Sequence, residues 1–263
     1  MMIVKIGGGD NINTRGILED VTELDEPIIL VHGANAVRDR IANGLNKPTK
    51  HITSMKGFES VYTDEDAMDI LMMAYAGVRN KRIVEMCHQI GINAIGLTGL
   101  DGKLVSGERN KGIRVEENGK KKIVRDFSGK SVKVNADLIN LLHQNGYTPV
   151  ICPPILSEEN IALNTQNDGI IAAIAASMPV DTIVDLFAER GLLEDKDDPE
   201  TLISKLTKDE IASYIEKTGG RMRRKIHAMS KVFDSGVRRL IFSDGRADHP
   251  LKNALEGKGT VIE

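Results

Sequence analysis

A short apolar strand that runs straight into three glycines, Met2-Ile3-Val4-Lys5-Ile6-Gly7-Gly8-Gly9, constrains this chain more than any other stretch. Consecutive apolar and β-branched positions describe a strand buried on both faces, the kind found in parallel sheets. Glycines at its end let bare backbone N–H groups approach an anion where a Cβ would obstruct them. Lys5 lies where the strand ends, within reach of the same anion. The plainer alternative is an edge strand with an ordinary glycine turn and a snorkelling lysine. The run fits neither the Walker A loop nor the dinucleotide fingerprint.

At 263 residues the chain is long enough for one large α/β domain or two lobes sharing a sheet. A net charge of −3 gives no global case for nucleic acid. Aromatic residues make up only 3% with no Trp, which excludes a stacking platform for single strands or sugars. Cys87 and Cys152 read as small buried hydrophobes, with no disulfide framework or zinc site. No apolar run approaches a membrane span and the first residues lack a signal-peptide pattern, so a cytoplasmic protein with no membrane partner is expected.

Thr14–Leu24 reads as a helix and Pro27-Ile28-Ile29-Leu30-Val31 as a second buried strand. That strand ends in His32-Gly33-Ala34-Asn35, ahead of a helix over Ala36–Leu45. Two glycine turns at neighbouring strand ends make a shared anion cradle at the carboxyl edge of a parallel sheet. His32 reads as a catalytic base or, preferentially, as a structural hydrogen-bonder. Thr63-Asp64-Glu65-Asp66 opens a long helix to Cys87, with Thr63 expected as N-cap and Asp66 as capping-box acid. From Lys103 to Val134 β-branched residues alternate with charge around an Asn118-Gly119 turn signal. Positions 101–133 carry ten basic residues against five acidic ones, which suits an acidic partner, or a solvated hairpin whose lysines discourage edge pairing.

Beyond a strand at Thr148–Cys152, the polar run Asn164-Thr165-Gln166-Asn167-Asp168 leads into an alanine-rich helix over Gly169–Met178. One of these side chains suffices for an N-cap; the rest exceed what capping needs. A strand over Thr182–Leu186 and a strand-like Leu202–Leu206 follow, then a helix over Asp209–Lys217 ended by Gly219-Gly220. Arg221, Arg223, Arg224 and Lys225 start the next helix and oppose its dipole, which is unfavourable unless an anion binds there. Arg239–Phe242 and Thr260–Ile262 are the closing strands.

Taken together, Lys5-Ile6-Gly7-Gly8-Gly9, His32-Gly33, the Asn164 to Asp168 cluster, Gly220-x-Met222-x-x-Lys225 and Asp244-Gly245-Arg246 resemble the amino-acid kinase family over essentially the whole chain. Glu117-Asn118-Gly119-Lys120, Cys152-Pro153-Pro154 with Glu158-Glu159-Asn160, and Gly220–Lys225 are most similar to one branch of it. That branch phosphorylates 2-aminoadipate or glutamate attached to a small acidic amino-group carrier protein in lysine and arginine biosynthesis. Acetylglutamate kinases, which use free N-acetylglutamate, are the next most similar. The resemblance implies an open, mainly parallel α/β sheet with helices on both faces and a β-hairpin insertion. It implies an acceptor-binding lobe over 1–149, an ATP-binding lobe over 150–263, and a homodimer formed through the long helix bearing Met68, Leu71, Met72, Met73 and Tyr75.

The implied reaction moves the ATP γ-phosphoryl group onto a side-chain carboxylate, giving an acyl phosphate. By resemblance Lys5 and Lys225 bind the phosphoryl group from opposite sides and Asp168 orients both. Backbone N–H groups of Gly7, Gly8, Gly33 and Ala34 hold phosphate and acyl oxygens, Asn164 contacts the acceptor, and Gly220 and Met222 flank the nucleotide. Mg²⁺ arrives with ATP, with no dedicated metal site.

Four positions depart from the pattern. Ala34 replaces the usual second glycine, which keeps a backbone N–H while φ stays negative. Val61 stands where an arginine usually binds the acceptor's α-carboxylate; Lys56 or Arg79 takes its place, or the acceptor differs. The Asn-x-Asn-x-Asp cluster keeps only its outer residues, Asn164 and Asp168. Phe187-Ala188 replaces polar contacts to the nucleotide, with Arg190 as the compensating candidate. These departures leave open a different acceptor, or a non-catalytic relative that binds carrier or effector. Retention of Lys5, Asp168 and Lys225 argues against the latter.

Overall fold

The strand Met2–Ile6 lies inside an eight-stranded sheet, with three strands on one side of it and four on the other. From one edge the order is Lys205–Leu206, Thr260–Ile262, Arg239–Asp244, Thr182–Phe187, Met2–Ile6, Ile28–His32, Thr148–Cys152 and Ala94–Thr98. All neighbours run parallel except Arg239–Asp244 with Thr260–Ile262. This is the expected open, mainly parallel α/β sheet. The computed structural model describes every residue but Lys56, Phe58, Asn118, Gly119, Lys196, Asp197, Pro199 and Gly219, and not the side chains of Glu117, Lys217, Arg221, Arg223 and Arg224. The Asn118-Gly119 turn, the Lys56 alternative and the three arginines of the basic helix start therefore fall outside the described residues and side chains.

The side-chain period of two divides each central strand between two cores. Met2, Val4 and Ile6 face one layer with Ile17 and Leu18 of helix Thr14–Val21, Ile83 and Cys87 of helix Asn80–Gln89, and Leu251 of helix Pro250–Leu255. Ile3 faces the other, with Ile183, Ile170 and Ile174 of helix Asn167–Ser177, and Ile226 and Met229 of helix Gly220–Ser230. Lys5 and Asp185 share the parity of Ile3 and Ile183. They therefore point toward the face covered by the two helices that carry Asp168 and Lys225. The alanine-rich helix is packed into this core, with Ile170, Ile171 and Ile174 fully buried.

A second, four-stranded sheet, in the order Ala162–Leu163, Ile155–Ser157, Val105–Arg109 and Gly129–Val134, stands beyond the carboxyl ends of the central strands. Two antiparallel ribbons accompany it, His51–Thr53 with Glu59–Val61 and Ile113–Glu117 with Lys120–Val124. They meet where Ser54 bridges Val115.

Several local expectations are corrected. The N-cap of the long helix is Asp64, whose side chain accepts from the Ala67 N–H at 3.0 Å, not Thr63. The Thr63 N–H is instead taken by buried Asp126 at 3.2 Å. Asp66 is no capping-box acid; it pairs with Lys47 at 2.7 Å. The helix runs on through a π-helical segment, Met73–Arg79, before Asn80–Gln89. Of its proposed contact residues, Met68 and Leu71 are buried, Met72 and Tyr75 half-buried and Met73 is 47% exposed; Val78, not among them, is 40% exposed. The run Leu202–Leu206 supplies only the two-residue strand Lys205–Leu206, with Leu202 making an isolated bridge to Leu193.

Candidate active site

Four charged groups meet at the carboxyl end of the Met2–Ile6 strand. Lys5, only 8% exposed, donates to Asp168 at 2.5 Å and to Asp185 at 3.0 Å. Lys225 reaches the same Asp185 oxygen, Oδ2, at 2.8 Å. Burial works against the Lys5 charge, but Asp168 and Asp185 outweigh it and its pKa is raised. Burial, aided by the Lys5 charge and opposed by Asp185, lowers the pKa of Lys225. Burial also opposes the Asp185 charge, yet the two lysines overcome it and its pKa is lowered.

Asp168 was expected to orient both lysines. It contacts Lys5, and acts on Lys225 only through its charge. The carboxylate that touches both is Asp185, which sequence reasoning missed. Its signal was a lone aspartate inside the apolar run Thr182-Ile183-Val184-Asp185-Leu186-Phe187. A fully buried charge in such a strand needs a partner, and the partner is Lys5 on the neighbouring strand, its register mate.

The first-strand glycines and His32-Gly33 pack against each other. A Cβ at Gly8 would lie 2.2 Å from Asn35 Oδ1 and 2.6 Å from the Ala34 nitrogen, and one at Gly33 would lie 2.9 Å from the Gly8 nitrogen. The donors divide unequally. Gly7 N–H donates to Leu186 O at 2.8 Å and Gly33 N–H to Ile6 O at 2.9 Å, so both continue the sheet ladder. The Gly8 and Gly9 N–H groups donate to nothing among the described residues. Ala34 has φ −150°, the negative value its substitution for glycine requires, and its N–H faces the Tyr75 phenol oxygen. His32 is structural: fully buried, with Nδ1 3.2 Å from Gly33 O, Nε2 3.1 Å from Asn80 Nδ2, and its ring stacked on Tyr75. Burial, with the Arg79 and Lys81 charges, pulls its pKa down to about 3.

The polar run before the alanine-rich helix is not spent on capping. Gln166, the N-cap residue, makes no side-chain capping bond. Asn164 donates to Thr63 Oγ1 at 2.9 Å, Asp168 turns to Lys5, and Asn167 Oδ1 is buried without a partner. Asn164 and Val61 line one cavity of about 210 Å³, with Arg38, Lys47, Lys50 and Tyr62. Arg79 is not part of this cavity; it donates to Thr14 Oγ1 at 2.6 Å. The guanidinium at the cavity is Arg38, which sequence reasoning also missed; Asp39 holds it at 2.8 Å and is itself bound by Thr49.

On the other side of the quartet, the Lys225 Nζ lies 3.7 Å from the Phe187 ring centre and 5.5 Å from that of Phe242. Ala188 packs against the core that holds Met2, Val4 and Ile6, and Met222 against the one that holds Ile3. Gly220 opens the Lys225 helix. Arg190 pairs with Glu200 at 3.0 Å and bears on Asp244. On the Ile113–Val124 ribbon, Lys120, Lys121, Lys122 and Ile123 are exposed, Ile123 by 66%. Among the described residues no group of three or more His, Cys, Asp or Glu side chains is placed to hold a metal ion, and no helix is long and apolar enough to cross a membrane.

A sequence model of the amino acid kinase family matches residues 1–243. A LysW-aminoadipate kinase from Deinococcus radiodurans is 38% identical over 266 residues, covering 100% of this chain and 91% of the relative. One of the same name from Thermus thermophilus is 38% identical over 268 residues, covering 100% of both. Among solved structures, smu.665 from Streptococcus mutans is similar with a TM-score of 0.76 at 19% identity, covering 99% of this chain and 97% of that one, a likeness of fold.

Proposed function

The chain belongs to the amino acid kinase family, and from that premise we propose that it transfers the ATP γ-phosphoryl group to the side-chain carboxylate of 2-aminoadipate, or glutamate, carried on a small acidic carrier protein. It is a phosphotransferase, and ATP is the donor its family implies. The observation that carries the reading is the pair of buried ammoniums, Lys5 and Lys225, converging on Asp185 at the end of the strand that leads into Gly7-Gly8-Gly9.

Phosphoryl transfer asks the protein mainly for positioning and for neutralising charge that spreads over the phosphoryl oxygens. Gly8 and Gly9 donate to phosphate oxygens, and Lys5 and Lys225 meet the transferring group from two sides. A carboxylate is a competent nucleophile at neutral pH, so no general base is needed. His32, held neutral and bonded at both ring nitrogens, is accordingly not one. The two carboxylates of the site, Asp168 and Asp185, are both engaged by lysines, which suits Mg²⁺ held by ATP phosphate oxygens.

The cavity lined by Val61, Asn164 and Arg38 receives the acceptor, with Arg38 offering the charge that Val61 lacks. Phe187, Ala188, Arg190, Gly220 and Met222 form the nucleotide side, so the acceptor lies toward the 1–149 lobe and ATP toward the 150–263 lobe. The lysines of the exposed ribbon match the carrier's acidity. Exposed Met73 and Val78 supply the homodimer contact. The reading is tested by ADP release: ATP turnover should depend on addition of carrier-linked aminoadipate. ADP release indifferent to every carboxylate acceptor contradicts it.

A further inference from the structure

We propose that Asp185 is a positioning residue that ties Lys5 and Lys225 into one charged pair for the transferring phosphoryl group. The inference rests on the phosphoryl-transfer reading above and assigns the clamp to a residue that sequence reasoning did not place in the site. Asp185 is fully buried, and its strand is hydrogen-bonded to the Lys5 strand in a register that sets Lys5 directly opposite it. That pairing fixes the carboxylate relative to the end of the Lys5 strand with no loop between them. Both ammoniums converge on the one oxygen, Oδ2, at 3.0 and 2.8 Å. The other oxygen, Oδ1, is buried and has no partner, an arrangement that costs stability unless something is gained from it.

What is gained is the proximity of two like charges. Lys225 is faced by Lys5 from the first strand, Asp185 from its neighbour, Asp168 from the alanine-rich helix, and the rings of Phe187 and Phe242. Of the two carboxylates only Asp185 touches it. Without that contact, burial and the Lys5 charge both favour a neutral amine, which has no charge to offer a phosphoryl group. Asp168, by contrast, serves Lys5 alone by contact. The two carboxylates thus have separate tasks.

The experiment uses the full-length protein and compares wild type with Asp185→Asn, Asp185→Glu and Asp168→Asn. In steady-state hydroxamate assays Asp185→Asn is expected to lower kcat on the order of a hundredfold, as misplacement of a reacting-group contact does. It should leave KM for ATP within about threefold and move the alkaline limb of the kcat profile to lower pH. Asp185→Glu restores the charge, and with it the position of that limb. In parallel, the Lys225 ammonium is titrated by NMR on protein labelled with ¹⁵N at lysine Nζ. Its pKa should fall in Asp185→Asn, fall by less in Asp168→Asn, which removes a charge but no contact, and stay near the wild-type value in Asp185→Glu. A Lys225 titration unchanged in Asp185→Asn overturns the clamp, as does a shift of equal size in Asp168→Asn. If wild type forms no acyl phosphate with any acceptor, the functional reading falls, and the titration still decides the clamp. If Asp185→Asn does not fold, the Asp168→Asn and Asp185→Glu titrations decide it: a loss of Lys225 charge in the former, or in the latter, overturns it.

Discussion

The Lys225 ammonium sits over the face of Phe187, 3.7 Å from the ring centre, at the strand end where this chain lacks the polar residue of the family pattern. An aromatic face attracts a cation without consuming its N–H donors. Phe187 therefore steadies Lys225 while leaving donors for phosphoryl oxygens, and the exchange of a polar residue for Phe at this strand end is compatible with a working site.

Two substitutions follow from that contact. Lys225→Ala should abolish acyl-phosphate formation while the melting temperature stays close to wild type; retained turnover would remove Lys225 from the chemistry. Phe187→Leu keeps the apolar volume and removes the ring quadrupole, a loss of about 1–2 kcal/mol for a desolvated pair. Turnover should fall roughly tenfold by that energy. A Leu variant as active as wild type would mean that Asp185 alone holds the lysine.

Gly8→Ala tests the close approach of the two glycine turns. Its Cβ would lie 2.2 Å from Asn35 Oδ1 and 2.6 Å from the Ala34 nitrogen, and the latter is backbone that cannot swing aside. Overpacking of this kind costs about 1–3 kcal/mol. Calorimetry should show that loss, and nucleotide titration should show a larger one, because the Gly8 N–H moves with the displaced turn. ATP affinity equal to wild type would separate the turn from phosphate binding.

The central strands were legible because each is an apolar run covered on both faces, and Lys5, Asp168 and Lys225 because each stands in a local motif. Asp185 was not, since its contact with Lys5 joins residues 180 positions apart. No local pattern says which strand will lie beside Met2–Ile6; the topology does. The same holds for Arg38, whose place at the cavity depends on the ribbon bearing Val61 folding over its helix. The N-cap slipped from Thr63 to Asp64 while the Thr63 hydroxyl, turned away from the helix, donates to Val61 O and accepts from Asn164, the latter a tertiary contact that overrides a local preference. Gly7 and Gly33 looked like free donors until parallel pairing on both sides of the first strand took their N–H groups.

Acid stability carries the imprint of His32. Its folded pKa of about 3 lies below the ordinary value of 6.5, because burial disfavours the imidazolium. The unfolded chain therefore binds a proton at this site between those two values and the folded chain does not, so stability falls as pH drops from 6.5 toward 3. His32→Gln keeps a donor for Gly33 O and an acceptor for Asn80 and has no such titration. Urea unfolding midpoints should lose less stability in the variant than in wild type across that window. Parallel curves would show that His32 does not contribute to the acid limb.

Neutralising the exposed lysines of the ribbon tests the carrier surface. Lys120→Gln, Lys121→Gln and Lys122→Gln combined should weaken carrier binding about tenfold at low salt and flatten its salt dependence, since screening then has less charge to act on. Unchanged affinity would leave the ribbon a solvated hairpin.

Val61→Arg tests the acceptor cavity. If Arg38 already supplies the charge there, a second guanidinium adds little attraction and crowds a space of about 210 Å³, so KM for the acceptor should rise. A lower acceptor KM would show that the cavity lacked a cation.

The central claim is tested most directly by trapping the product. ATP-dependent hydroxamate formation would be measured with carrier-linked aminoadipate, carrier-linked glutamate and free N-acetylglutamate offered in parallel. The account predicts hydroxamate with the carrier-linked acceptors and not with N-acetylglutamate, the ratio between the first two reporting a preference that one methylene sets at about 1–3 kcal/mol. Hydroxamate only from free N-acetylglutamate, or from none of the three while ATP still binds, would contradict it.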